Sequence, residues 1–253
     1  MREVPATQRG LVVATADERP DLWAEAEGAF QDVWPEYNQH GDVSGEYFGA
    51  LVPRHADLQF VIWDTEGEEF VARGRTIPFR WDGTLSDLPA GIDAMGQRAV
   101  NDPASPTVLS ALAAEVVPDR RGSGMSRLVI AAMADRAAAA GFDTLLAPVR
   151  PSWKDRYPLI PIEEYVTWKR DDGLAFDPWL RVHARLDATT LRPEPHSMRI
   201  TGTVDEWTDW TGMEFPADGR YIFPAGLAPL DVHDRVGKYW EPNVWMLHRV
   251  ERR

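Results

Sequence analysis

Residues 108–149 constrain this chain more than any other stretch. V108-L-S-A-L-A-A-E-V-V117 is a nearly unbroken apolar run, the pattern of a buried strand, although its alanines would also permit a helix. A short turn from Pro118 to Gly124, P-D-R-R-G-S-G, follows it. Beyond the turn, Met125, Leu128, Val129, Ala132 and Met133 recur at i, i+3, i+4, i+7 and i+8, one apolar stripe of a helix. Gly141 supplies the stop, and T144-L-L-A-P-V149 is a second strand. Strand, glycine-rich turn, helix, strand is the βαβ plan, in which the crossover lets the two strands run parallel, almost always with right-handed connection. An α/β architecture must form around it.

The turn itself has two readings. In one it only joins strand to helix and carries surface arginines. In the other it holds an anion: a helix N-terminus offers unpartnered N–H groups and the positive end of the helix dipole, and Gly122 and Gly124 leave those amides approachable. Arg120 and Arg121 add charge at the rim, and Pro118 closes the strand because it has no N–H to give. The better-known phosphate loops fit worse. No G-x-x-x-x-G-K-[ST] string exists, and a dinucleotide fingerprint needs a third glycine where Leu128 or its apolar neighbours stand.

Before this module, L11-V-V-A-T-A16 reads as a strand and Pro20–Trp34 as a helix, with Leu22, Trp23, Ala26, Phe30, Val33 and Trp34 at helical spacing. F60-V-I-W-D64 and Glu69–Pro78 read as two strands of a hairpin joined at T65-E-G67. Asp82–Pro106, rich in Gly, Pro, Asp and Ser, reads as an irregular insertion. After the module, D177-P-W-L-R-V-H-A-R-L-D-A188 opens with a helix-start signature and carries Trp179, Val182 and Leu186 as a stripe. G202-T-V-D-E-W-T-D-W210 and Y239-W-E-P-N-V-W-M246 have strand-like texture. No repeat and no flexible linker divides the chain. The expectation is a domain over residues 1–200 with a β-rich extension, 201–253, packed on it.

Charge and composition narrow the partners. A net charge of −13 argues against nucleic acid, whose phosphates attract basic surfaces. The absence of cysteine removes disulfides, thiolate metal sites and cysteine nucleophiles, and suits a reducing compartment; no metal site is expected. Met1–Gly10 lacks the apolar core of a secretory signal, and no run approaches the roughly 18–20 apolar residues that span a bilayer. A cytoplasmic protein without a membrane partner is the expectation.

The run from Pro118 to Val129, P-D-R-R-G-S-G-M-S-R-L-V, resembles the acetyl-CoA loop of the GNAT superfamily of N-acetyltransferases, whose signature is [QR]-x-x-G-x-[GA]. Arg121, Gly122, Ser123, Gly124 and Met125 follow it, with Ser126 where Gly or Ala is usual. The order of elements over roughly residues 10 to 200 resembles that family too. The resemblance implies an α/β (α+β) fold with a mixed sheet splayed open between the strand ending at Val117 and the strand around Leu145. It implies acetyl-CoA as cofactor, its pantetheine arm in that gap and its pyrophosphate on the Gly122–Ser126 amides. It further implies direct attack by an amine, with the thioester carbonyl polarised by a backbone N–H of Val116 or Val117.

Three side chains are candidates for the proton transfers. Glu115 is a carboxylate inside an apolar run, costly there unless paired or functional, so it is either a general base or the partner of an arginine. His183 falls where the family's last helix carries a tyrosine that protonates the departing thiolate, a task imidazole can perform near neutral pH. Tyr157 is a second candidate acid. The segment between strand and helix places Trp153, Tyr165 and Trp168 where family members line the acceptor pocket, with Glu163 or Glu164 to attract an amine; the alternative for these residues is packing under the C-terminal extension. The expected activity is acetylation of a small-molecule amine, with a possible homodimer. The alternatives are an acyl-CoA-binding or sensing module, or an acyl-CoA decarboxylase on the same scaffold.

Overall fold

The computed structural model describes residues 2–3, 10–102 and 104–251. The readings made for Met1–Gly10 and Asp82–Pro106 therefore fall partly outside the described residues. In chain order the elements are β1 (Arg2–Glu3), β2 (Leu11–Thr15), α1 (Pro20–Phe30), α2 (Ser44–His55), β3 (Phe60–Asp64), β4 (Glu69–Phe79) and α3 (Gly91–Asn101). Next come β5 (Val108–Val116), α4 (Met125–Ala139), β6 (Thr144–Val149), the short α5 (Ile162–Tyr165) and α6 (Pro178–Ala184). The chain closes with β7 (Thr189–Thr203), α7 (Val204–Thr211), β8 (Gly219–Tyr221), β9 (Leu230–His233) and β10 (Val236–Arg249).

The strands form one mixed sheet in the order β1-β2-β3-β4-β5-β6-β10-β9-β8, with β7 on the other edge of β10. Every pairing is antiparallel except β5 with β6. That parallel pair is joined through α4, as the βαβ pattern demands. Alternation along β3 sorts the layers. Phe60 and Ile62 face α4, with Val129, Ala132 and Met133 packed against the sheet. Val61 faces α1 through Ala26 and Phe30. Burying each such apolar side chain contributes about 1.5–3 kcal/mol, and the sheet is thereby covered on both faces. On the α1 face, Tyr47 and Leu51 of α2 and Ile92 and Met95 of α3 cover Ile77, Phe79 and Leu112.

The β-rich C-terminal part is built into this sheet. β10 pairs with β6 through Val244–Arg249 and with β7 through Val236–Leu247, so its second half is a central strand. The boundary drawn at residue 200 falls inside β7.

Three segments depart from the sequence expectation, each for a local reason. The stretch read as an irregular insertion contains α3. Its glycines come from close packing: a Cβ on Gly96 would lie 2.3 Å from the Tyr47 ring, so the helix needs a residue with low helix propensity at that contact. The stretch 202–210, read as strand-like, becomes a helix after Thr203, whose hydroxyl and the Glu206 carboxylate form a reciprocal capping box. The first helix ends at Phe30 rather than Trp34, because Trp34 turns away to donate its indole N–H to Glu115 at 3.0 Å.

Candidate active site

The glycine turn between β5 and α4 is held open by its backbone. Gly122 and Gly124 adopt φ of 80° and 88°, the left-handed region that glycine enters without strain. Nothing lies within 4 Å of where a Cβ would stand on either. Gly124 is the N-cap of α4 and supplies no side-chain cap. Among the described residues no acceptor meets the N–H groups of Gly122, Gly124, Met125 and Ser126. A set of free amides at a helix start, reached across open space, fits a diphosphate. The arginines divide: Arg120 is ion-paired with Glu69 and, at 3.2 Å, with Asp64, while Arg121 is exposed and reaches only the Val33 carbonyl.

Next to this turn the sheet comes apart. β5 and β6 pair only at Leu109↔Leu145 and Ser110↔Leu146, although β5 runs on to Val116 and β6 to Val149. Beyond Ser110 one edge of each strand is unpaired. Val117 donates its N–H to Val71 of β4 at 3.1 Å. Because neighbouring residues of a strand present their amides to opposite edges, the Val116 N–H points into the gap. A cavity of about 340 Å³ occupies the gap and passes through the sheet. Ile130, Met133, Trp179 and His183 line it on the α4 side, and Glu27, Phe30 and Phe48 line it on the α1 side.

On the α4 side two histidines meet. His183 Nδ1 lies 2.8 Å from His248 Nε2, and both rings are buried. His248 also hydrogen-bonds the Leu186 carbonyl. A carbonyl only accepts, so that nitrogen of His248 carries the hydrogen, its Nε2 accepts, and His183 Nδ1 is the donor. His183 Nε2 is left with a bare lone pair, buried, lining the cavity and without a hydrogen-bond partner. Burial, with a smaller contribution from His248, lowers the His183 pKa to about 3. The ring is neutral at neutral pH, and Trp179 packs edge-on against it at 4.6 Å.

On the α1 side the cavity wall is charged. Arg73 and Arg75 project from β4, Glu115 from β5, Glu27 from α1, Arg150 from the end of β6 and Glu241 from β10. Arg73 grips Glu115 with both ends of its fork, at 2.6 and 3.0 Å, and reaches Glu27 at 2.9 Å. Arg150 pairs with Glu241 and donates to the Tyr37 hydroxyl at 2.9 Å and the Ala225 carbonyl at 2.8 Å. Bidentate, charge-assisted geometry of this kind makes a buried pair tolerable.

No protein-family model matches the sequence. An arginine N-acetyltransferase of Aspergillus versicolor, avaD, is 32% identical, the match covering 95% of this chain and 94% of that protein. The chain belongs to the GNAT superfamily of N-acetyltransferases. The fold agrees. The loading GNATL domain of CurA from Lyngbya majuscula superposes with a TM-score of 0.60 at 17% identity, over 96% of this chain and 98% of that one. A GNAT-like decarboxylase, GphF, in complex with isobutyryl-CoA, gives 0.56 at 14% identity, over 95% and 99%. Such identities speak for the fold alone.

Within this GNAT fold the residues singled out from sequence fall into two groups. Val116, Val117 and Arg120–Ser126 lie together at the turn and the open edge of β5. Glu115 and His183 line the cavity, from opposite faces of the sheet. Glu115 is committed: its oxygens accept from Arg73 and Trp34, the partnered arrangement that its place in an apolar run allowed for. His183 is neutral at neutral pH, and its partnerless Nε2 lines the cavity.

Trp153, Tyr157, Tyr165 and Trp168 are not among the lining residues. They stack with Phe176 into an aromatic cluster at centroid spacings of 5.0–6.3 Å. Tyr165 donates to Asp177 Oδ2 at 2.9 Å, and Asp177 Oδ1 caps α6 through the amides of Trp179 and Leu180. The cluster thus buttresses the short helix that carries His183. Glu163 and Glu164 are exposed on α5, away from the cavity. Sequence reasoning missed Arg73, Arg75, Arg150, Glu241 and His248. A signal existed for the first two: in V71-A-R-G-R-T-I77 two arginines at period two share one face of an otherwise apolar strand.

Proposed function

We propose that this enzyme transfers an acetyl group from acetyl-CoA to the amino group of a small-molecule acceptor by direct attack. The observation that carries the reading is the cavity in the gap between β5 and β6, with charged side chains on the face opposite α4, while the free turn amides follow the end of β5 beyond that lining. Acetyl-CoA supplies the acyl group as a thioester. The amides of Gly122, Gly124, Met125 and Ser126 bind the diphosphate, and the exposed Arg121 adds charge beside it. The gap-facing Val116 N–H polarises the thioester carbonyl and stabilises the negative charge that develops on its oxygen.

The amine enters from the α1 face, drawn by the exposed Glu27. As its nitrogen bonds to the carbonyl carbon, it gains positive charge and must shed a proton, and the sulfur must gain one as the C–S bond breaks. His183 Nε2 relays the proton from nitrogen to sulfur in one concerted step, never resting as the imidazolium that its low pKa disfavours, so the ring ends as it began. His248 fixes the tautomer that leaves this lone pair free. Such an enzyme, from a chain without cysteine, works in the cytoplasm. The name of the Aspergillus relative favours basic acceptors of arginine's kind.

The test is to incubate the purified protein with acetyl-CoA and a panel of amines, following thiol release and product mass together. Thiol release matched by acylated amine is the expected result. Binding of acetyl-CoA without turnover, thiol release without acylated amine, or carbon dioxide release from malonyl-CoA would each contradict it.

A further inference from the structure

Of the three guanidinium groups on the charged wall, two are held by hydrogen bonds and one is not. Arg73 makes three hydrogen bonds to carboxylates, and Arg150 binds a carboxylate, a hydroxyl and a carbonyl. Arg75 makes none. Its approaches to Glu27 and Glu115 are both 3.5 Å, and its Nε is buried with no hydrogen-bond partner. A buried donor left without an acceptor is destabilising, and a ligand oxygen that accepts from it relieves that penalty. The side chain lines the cavity, and its guanidinium sits 5.5 Å over the Phe48 ring, which holds the fork in one orientation.

Charge balance says what this fork awaits. Glu27, Glu115 and Glu241 face Arg73, Arg75 and Arg150, three negative charges against three positive. A simple cationic amine brings an uncompensated charge to a balanced wall. An amino acid carries one positive charge fewer than its decarboxylated amine, and its carboxylate matches a planar guanidinium in bidentate geometry. We infer that Arg75 is the receptor for a carboxylate on the acceptor, and that the acceptor is an amino acid rather than a simple amine. This rests on the reading of the cavity as an acetyltransferase site. Arg75 sets specificity: it holds the substrate while Glu27, 3.5 Å away, stands beside the approaching amine.

Matched pairs test it: arginine against agmatine and lysine against cadaverine, with saturating acetyl-CoA, for the wild type, Arg75→Gln and Arg75→Lys. The wild type should favour each amino acid over its decarboxylated partner by tenfold or more in kcat/KM. Arg75→Gln should raise KM for the amino acids at least tenfold, leave the KM for acetyl-CoA unchanged and abolish the preference. Arg75→Lys should restore part of it. Equal wild-type efficiency on both members of each pair, or an equal loss on both in Arg75→Gln, overturns the inference. Calorimetric titration of the same pairs in the presence of CoA reads the carboxylate without turnover. Arginine binding wild type but not Arg75→Gln then supports the role of Arg75 even if no amine is acetylated, which would instead defeat the acetyltransferase reading.

Discussion

The glycine turn at 118–126 and the charged wall under α1 and α2 are built by opposite means. The turn draws on consecutive residues and presents main-chain amides, shaped by two glycines in the left-handed region. The wall draws on side chains from α1, β4, β5, β10 and the residue after β6, brought together only by the sheet, and all but Arg75 are tied to one another by hydrogen bonds. A site made of backbone survives most side-chain changes and fails at its glycines. A site made of interlocked charges fails, or unfolds, at almost any member. The histidine pair belongs to the second kind.

That contrast can be broken or sharpened by substitution. The largest effect is expected at His183. His183→Ala removes the lone pair facing the gap and should lower kcat by about 10²–10⁴-fold, the usual worth of a positioned proton-transfer group, with acetyl-CoA affinity little changed. A kcat within threefold of wild type would remove His183 from the proton path. Glu115→Ala should act on the fold instead. It leaves the buried Arg73 without its main partner, an error worth about 3–5 kcal/mol, visible in denaturant unfolding. A stable variant with selectively lost turnover would mean that Glu115 acts on substrate.

Gly124→Val should do the reverse of Glu115→Ala. Forcing a β-branched residue to φ of 88° and covering the amides should weaken acetyl-CoA binding tenfold or more, while the strain costs the fold only about 1–2 kcal/mol. Unchanged affinity would clear the turn of any part in binding.

The smallest effect is in pH dependence. His183 has a folded pKa of about 3, below its usual 6.5, so the unfolded chain binds the extra proton first. Its contribution to stability is complete above pH 6.5 and is lost as pH falls from there toward 3. Melting temperature should decline across that window, and His183→Phe should flatten part of the decline. An identical slope in the variant would show that other groups govern it.

The two regions also explain what the sequence made legible. Strand, turn, helix and strand from Val108 to Val149 could be read directly because periodicity and glycines are local signals, and the motif at Arg121–Ser126 lies within them. The wall could not. Nothing local says that Arg150 will meet Glu241, 91 residues on, or that His183 will find His248 across 65 residues. The aromatic segment 153–168 left pocket lining and packing both open for a related reason. Its rings and prolines look like a pocket lining, yet they pack on one another to brace α6. Glu115 could be narrowed to base or ion pair, but its partner lay on another strand.

The central claim is that the break between β5 and β6 receives the thioester. A crystal structure of the protein with bound CoA tests it most directly. Diphosphate oxygens are expected on the Gly122–Ser126 amides and the sulfur inside the gap, within hydrogen-bonding reach of His183 Nε2 and close to the Val116 N–H. CoA bound elsewhere, or a gap closed by the protein's own side chains with the coenzyme outside it, would contradict the account.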